Sequence, residues 1–329
     1  ENPEDLEALL NPLRALEDLK GLLIIDEIQR LPNLFPILRV LADRKNAKYL
    51  ILGSASRDLI KQSTETLAGR IGYIELTPFS LFEDCDPHTL FIRGGYPNSY
   101  LANSDEESVR WRRSYIKTFL ERDIPSLGFN IPPATLQRFW MMLSHYHGQL
   151  LNMEQIAKSM SISGHTVRKY LDILSGTFMV RILSPWHENI GKRQIKTPKV
   201  YIRDTGIMNS LNRIQFDEDM RVSPLKGAIW EGFALEEIVK ALHLSAEDCF
   251  FWRTQNGSEL DLLVFVNGKR LGFEFKYGDV PRPTKSMHVT LEDLKLERIY
   301  VVYPGTRRVY LSESIIGIGL SEVISSVKS

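Results

Sequence analysis

Residues 260–275 constrain the fold of this chain more tightly than any other stretch. Leu260–Val266 and Lys269–Phe275 are strand-forming runs on either side of Asn267-Gly268. Asn-Gly between such runs signals a two-residue hairpin of type I′. A two-residue loop fixes the register: Val266 faces Lys269, Asp261 faces Glu274 and Glu259 faces Lys276. Side chains alternate along a strand, so these last four share one face. Opposed Cβ atoms lie about 4.5–5.5 Å apart, and like charges placed there destabilise the pair. Asp261 and Glu274 therefore need compensation, from the adjacent Lys276 or from a divalent cation such as Mg2+ or Mn2+.

The N-terminal part reads strand–helix–strand. Leu22-Leu23-Ile24-Ile25 is a continuous apolar run, the pattern of a strand covered on both faces. Leu34, Ile37, Leu38 and Leu41 follow at helical spacing. Tyr49-Leu50-Ile51-Leu52 is a second such strand, closed by Gly53. Two buried strands around one helix imply a parallel pair with a right-handed crossover. Residues just past such strands collect at the ligand-binding edge of the sheet. Here they are Asp26, Glu27 and Ser54. An apolar strand ending in Asp-Glu is the Walker B pattern: the Asp holds a nucleotide's magnesium through water and the Glu polarises the attacking water. A solvated acidic turn has the same appearance.

Charge limits the partners. Lys plus Arg and Asp plus Glu are both 41, so bulk charge does not draw this chain to nucleic acid. A local patch is needed. Residues 134–200 supply one, with nine Lys/Arg against three Asp/Glu. Two cysteines, Cys85 and Cys249, are too few for a disulfide framework or a four-Cys zinc site. No apolar run approaches a membrane span and no secretory signal opens the chain, which reads as cytoplasmic.

Within the basic segment, residues 150–174 read as two short helices joined by a tight turn. Asn152 caps the first, whose apolar face is Ile156, Ala157 and Met160. Ser163 caps the second, where Val167, Tyr170, Leu171 and Leu174 recur at helical spacing. Its other face offers His165, Thr166, Arg168 and Lys169 to bases and phosphates, as in a DNA-binding helix-turn-helix. Lys192, Arg193, Lys196 and Lys199 follow in a wing, available for phosphates. The same module can also serve only as an adaptor that packs one domain on another.

Several motifs recur together. They are Leu22–Asp43, Leu52–Ser56 (LGSAS), Leu67–Ile71 (LAGRI), Leu76–Glu83 (LTPFSLFE), Arg93-Gly94-Gly95-Tyr96-Pro97, Tyr115–Asp123 (YIKTFLERD), Ser184–Gly206 and Glu259–Lys276. In that order they resemble a family of prokaryotic AAA+-type ATPases, over nearly the whole chain. The resemblance implies ATP and Mg2+ as cofactors, Asp26-Glu27 as Walker B, Ser54 as the sensor and Arg70 as an arginine finger. A finger acts on a neighbour's nucleotide, so it also implies a homo-oligomer. For the C-terminal half the resemblance implies a domain of unknown function that joins a winged helix-turn-helix to a restriction-endonuclease-like module. One departure stands out: no G-x-x-x-x-G-K-[ST] phosphate loop occurs in these residues. In the family that loop lies upstream of Walker B, so the chain is expected to be a fragment that binds ATP poorly.

Asp261, then Glu274-x-Lys276, is the pattern of PD-(D/E)XK nucleases. Two carboxylates hold magnesium there, and the Lys orients or activates the attacking water. A further acid comes from a preceding helix. Glu231 in Trp230-Glu231-Gly232-Phe233 matches the family's position, with Glu236 as a second option. A decayed nuclease fold kept as a scaffold has the same residues. The expected organisation is α/β and multidomain: a partial AAA+ core with a parallel sheet (1–90), a helical connector (91–134), a winged helix-turn-helix (135–200) and an endonuclease-like α/β domain (201–329). The expected function is an ATPase coupled to a DNA-binding or nuclease-like domain. A Mg2+-dependent nuclease and a non-enzymatic DNA-binding or adaptor module are the alternatives.

Overall fold

Apolar runs bounded by turn residues become strands, and apolar residues at helical spacing become the helices that cover them. The computed structural model describes residues 11–28, 31, 33–53, 67–83 and 85–328. They fall into two units, one within residues 1–76 together with 176–178, the other within 77–175 and 179–329. Ser54 lies outside the described residues. Among them, no helix is long and apolar enough to cross a membrane.

In the first unit, helix α1 (Pro12–Leu16) precedes strand β1 (Gly21–Ile25), helix α2 (Leu34–Arg44) and strand β2 (Ala47–Ile51). β1 and β2 pair in parallel, from Gly21 opposite Ala47 to Ile25 opposite Ile51. α2 buries Leu34, Phe35, Leu38 and Leu41 against Ile25, Tyr49 and Ile51. Pro36 is tolerated because it stands in the first turn, where its missing N–H has no partner to lose. Covering both faces of β1 was the expectation, and the structure corrects it. Leu22 and Ile24 are 62% and 61% exposed, because the helix covers one face only.

The second unit is built on one nine-stranded mixed sheet. Its first helices are α3 (Pro87–Arg93), α4 (Asp105–Thr118) and α5 (Pro133–His145). α4 runs on as a π-helical turn over Phe119–Asp123. Pro125 accounts for that turn, since a proline ring clashes with the carbonyl four residues back and widens the helix. Strand β3 (Gln149–Leu150), helices α6 (Met153–Met160) and α7 (Gly164–Gly176), and strands β4 (Val180–Pro185) and β5 (Lys199–Ile202) follow. Next come α8 (Thr205–Leu211), α9 (Lys226–Ala241), β6 (Cys249–Arg253), β7 (Glu259–Val266), β8 (Lys269–Phe275), α10 (Lys285–Asp293), β9 (Arg298–Tyr303), β10 (Val309–Tyr310), β11 (Ile315–Gly319) and α11 (Leu320–Lys328). The strand order is β10-β11-β9-β8-β7-β6-β4-β5-β3. β4 pairs in parallel with β6 at Ser184–Phe250 and Pro185–Phe251. The segments read as winged helix and as endonuclease-like thus share one sheet. Cys85 and Cys249 are free thiols.

Two of the recurring motifs are a packing lock. The N–H of Gly95 donates to Asp204 Oδ2 at 2.8 Å, and Asp204 Oδ1 caps α8 by accepting from Ile207 N at 2.9 Å. A Cβ on Gly94 would lie 2.3 Å from Asp204 Oδ1, and one on Gly206 would lie 2.1 Å from Arg93 O. Arg112, 1% exposed, donates from Nη1 to Ile92 O and Gly206 O at 3.1 and 3.0 Å. Arg93-Gly94-Gly95 and Asp204-Thr205-Gly206 therefore meet backbone to backbone, which only glycines permit.

Candidate functional site

At the N-terminal sheet edge, Leu52 N donates to Ile25 O at 2.8 Å and Ile28 N to Leu52 O at 3.2 Å. Asp26 and Glu27 fill the step between these two bonds. Asp26 is exposed, and its Oδ1 accepts from Glu27 N at 2.9 Å. Glu27 holds a left-handed φ of 52°, a conformation that L-residues adopt at a cost and that recurs at functional sites. Asp26 and Glu27 thus follow directly on the end of the strand. Arg70, the implied arginine finger, forks onto Asp43 within its own unit, with Nε–Oδ1 at 2.6 Å and Nη2–Oδ2 at 3.2 Å. The guanidinium hydrogen bond holds the Asp43 carboxyl below its usual range.

The second unit brings together the acids singled out in β7 and α9, with Glu274 of β8 paired separately to Lys276, which is not what strict alternation predicts. The hairpin register is as expected, from Leu262 opposite Phe273 to Val266 opposite Lys269, with Asn267 and Gly268 at φ 51° and 75°. On the other side of β7, Phe250 pairs with Leu263 and Trp252 with Leu260, so Asp261 and Leu262 together oppose Phe251. This is a β-bulge, which redirects a side chain. The β7–β8 ladder is registered only as far as Leu262–Phe273, and the Asp261 carboxylate fills the gap beyond, with Oδ2 accepting from Phe275 N at 3.0 Å. Glu274 points to the opposite face from its neighbours. Phe273 and Phe275 lie in the larger core, whereas Val301, paired with Glu274, lies in the smaller. There Glu274 Oε2 meets Lys276 Nζ at 3.0 Å.

The cation of the other face is Lys199, read from sequence as a wing residue for phosphates. The structure corrects that reading. Lys199 opens β5, is 3% exposed, and its Nζ reaches Glu259 Oε1 at 2.8 Å, Glu231 Oε1 at 3.3 Å and Asp261 Oδ1 at 3.5 Å. Tyr201, two residues on and on the same strand face, donates its hydroxyl to Glu231 Oε1 at 2.6 Å. Burial and Asp261 push the Glu231 carboxyl up to about 7, against the pull of Lys199. Burial and Asp261 likewise push Glu274 up to about 8, against Lys276. Burial disfavours the Lys199 ammonium, yet Glu231, Asp261 and Glu259 outweigh it and hold the proton more firmly than usual.

The expected Mg2+ or Mn2+ ligands Glu231, Asp261 and Glu274 do not fit a divalent ion in this arrangement. Among the described residues, no three His, Cys, Asp or Glu side chains are grouped so as to hold a metal. A lysine ammonium already lies between the carboxylates that do converge. Glu236, the second option, is elsewhere: buried, it pairs with Arg181 and, at 3.2 Å, with Arg203 Nε. These arginines overcome burial and bring its carboxyl down to about 2. His147 is a further residue that sequence reasoning missed. Its Nδ1 accepts from Ile202 N at 2.9 Å, and its ring packs on Gly232, whose Cβ would lie 2.2 Å from Nε2. Burial lowers the imidazole to about 4, so it is neutral.

In α6 and α7 the expected caps form. Asn152 Oδ1 accepts from Gln155 N at 3.0 Å, and Ser163 Oγ accepts from Thr166 N at 3.0 Å. Val167 and Leu174 are fully buried and anchor α7 in the core. His165, Arg168 and Lys169 are exposed, and Thr166 is half-buried against Ser163. Arg193 is exposed, but Lys192 is held by Asp293 of α10 at 2.5 Å.

Three family models match successive parts of the chain: "AAA domain" over residues 1–85, and two described as domains of unknown function, DUF8612 over 86–218 and DUF4143 over 226–323. "Uncharacterized protein Rv2008c" of Mycobacterium tuberculosis is 45% identical over 99% of this chain and 74% of its own length. "Uncharacterized protein Mb2031c" of Mycobacterium bovis matches to the same extent. An uncharacterized protein of Haemophilus influenzae is 24% identical over 62% of this chain and 56% of its own. With the mycobacterial proteins, this chain belongs to one AAA-type ATPase-like family, in which an N-terminal AAA domain is followed by a C-terminal domain of unknown function.

Proposed function

We propose that this family couples an AAA-type ATPase to a DNA-binding winged helix seated on an endonuclease-like scaffold. The observation that carries the reading is Asp26-Glu27, displayed past the end of a parallel strand inside the segment that matches an AAA domain. In this reading Asp26 holds the magnesium of a bound nucleotide through water and Glu27 is the base for the attacking water. The amides that cradle phosphates belong to a G-x-x-x-x-G-K-[ST] loop, which these 329 residues do not contain. The chain therefore supplies only half of a nucleotide site, and no hydrolytic step is assigned to it alone. The order α5-β3-α6-α7-β4-β5, with β5 antiparallel to both β3 and β4, supports the winged-helix reading. The exposed face of α7 supports DNA contact.

ATP turnover tests this reading. A chain carrying the loop ahead of residue 1 should hydrolyse ATP, and Glu27→Gln should lower kcat by at least about 100-fold, the usual scale for removing a general base. Turnover that survives Glu27→Gln would end the Walker B assignment.

A further inference from the structure

A lysine ammonium has three N–H donors and no acceptor. Lys199 has three carboxylate oxygens around it, one each from Glu231, Glu259 and Asp261, at 2.8–3.5 Å. The remaining contacts of this group are also made. Asp261 Oδ2 takes Phe275 N, Glu259 Oε2 faces Arg253 Nη1 at 3.6 Å, and Glu231 Oε1 takes the Tyr201 hydroxyl. Lys199 is also fixed from below, its Nζ lying 5.6 Å above the Phe251 ring. Phe251 is the residue opposite the bulge that turns Asp261 toward this side. Three elements far apart in sequence, β5, β7 and α9, thus converge on one ammonium. Buried carboxylates require a paired cation. Magnesium bonds oxygen at about 2.1 Å and calcium at about 2.3–2.6 Å, closer than the ammonium here. An ion cannot share this space with a buried lysine of like charge.

We propose that Lys199 is the built-in cation of the C-terminal carboxylate site, standing where a divalent metal would bind, and that removing it lets Glu231, Glu259 and Asp261 close from their present 2.8–3.5 Å onto a metal ion. The inference concerns this cluster alone, so the outcome of the ATPase test does not bear on it. In the native protein the site then serves to tie β5 to the β7–β8 hairpin and to α9. The residue pattern of a metal-dependent nuclease is kept, while its metal is replaced from within the chain.

Thermal unfolding and calorimetric titration with MnCl2 test this, using the full 329-residue chain as wild type, Lys199→Met and Lys199→Met with Asp261→Asn. The wild-type midpoint should move by no more than about 1 °C between EDTA and millimolar Mn2+. Lys199→Met should melt lower than wild type in EDTA and rise by about 5 °C or more with Mn2+, because a ligand of the native state stabilises it. Adding Asp261→Asn should abolish that rise. A wild-type rise of several degrees with Mn2+ overturns the proposal, since the lysine would then not exclude metal. So does a folded Lys199→Met, judged by circular dichroism, that ignores Mn2+. Should Lys199→Met unfold in EDTA, refolding carries the test: recovery with Mn2+ supports the proposal, and failure to refold with Mn2+ overturns it.

Discussion

Gly206→Ala isolates the lock between the two halves of the second unit. Gly206 lies within α8, where alanine is intrinsically favoured over glycine by about 1 kcal/mol. Any loss of stability must therefore come from packing. The added methyl would sit 2.1 Å from Arg93 O, 2.6 Å from Arg93 C and 3.0 Å from Arg112 Cδ. Two of these atoms are backbone and cannot rotate away. Relief requires α8 to back off from α3 by at least about 1.3 Å, since ordinary contact begins at 3.4 Å. That movement stretches the bonds that join them: Thr205 Oγ1 to Leu90 O at 2.6 Å, Asn209 Nδ2 to Phe91 O and Ile92 O at 3.0 and 2.9 Å, and Arg112 Nη1 to Gly206 O at 3.0 Å. A buried polar group left unpaired costs about 1–3 kcal/mol. Two such losses, less the helix gain, put the effect at about 3 kcal/mol. Urea unfolding followed by tryptophan fluorescence is the assay. All five tryptophans, at 111, 140, 186, 230 and 252, belong to the second unit, so the signal reports on it. Gly128→Ala is the control, because φ is +86° and its Cβ would meet nothing within 4 Å. It should lose only the left-handed backbone term, about 1 kcal/mol. A Gly206→Ala protein within 1 kcal/mol of wild type would refute the close-approach argument.

Further outcomes can be checked in the same protein. Glu236 has a folded pKa depressed to about 2, so its contribution is present above the ordinary glutamate value and is lost as pH falls toward 2. That contribution is on the order of 3 kcal/mol, and Glu236→Gln should remove it, flattening the acid limb of stability against pH between about 4.5 and 2. An unchanged acid limb would show that Arg181 and Arg203 do not hold the charge. ATP should bind this chain with a Kd weaker than about 1 mM, equivalent to about −4 kcal/mol; a micromolar Kd by calorimetry would mean that phosphates are held without the loop. Duplex DNA binding should weaken with salt, each neutralised phosphate contributing about −0.9 to the log–log slope, so Arg168→Ala with Lys169→Ala should make it shallower by about 2. Lys192→Ala should change it less, because Asp293 already engages that ammonium. An unaltered slope in the double variant would make α7 an adaptor helix.

What could be read from the sequence was what neighbouring residues determine. Asn267-Gly268 dictates a turn whose register follows from its own geometry, and Ser163 and Asn152 cap helices a few residues away. The parallel pairing of β1 and β2 was legible for a similar reason, since a single helix joins them. The reading failed where distant segments decide. The bulge at Asp261 and Leu262 arises from how β7 meets β6, and no turn encodes that register. It moved Asp261 off the face that alternation assigns it. Lys199 looked like one more basic residue in a positive stretch. Its signal was position: it heads a four-residue run, Lys199-Val200-Tyr201-Ile202, that is otherwise apolar or aromatic and is buried throughout. A lone lysine two residues from a tyrosine in such a strand must bring its partners with it. The motif glycines at 94, 95 and 206 were visible as letters but not as a contact, because the two strings are about a hundred residues apart.

ATP hydrolysis with and without duplex DNA tests most directly the proposed coupling of nucleotide turnover to DNA binding. In a chain that carries the phosphate loop, DNA should raise turnover, and Arg168→Ala with Lys169→Ala should remove the increase. Turnover indifferent to DNA, in a protein whose DNA binding has been measured independently, would contradict the account.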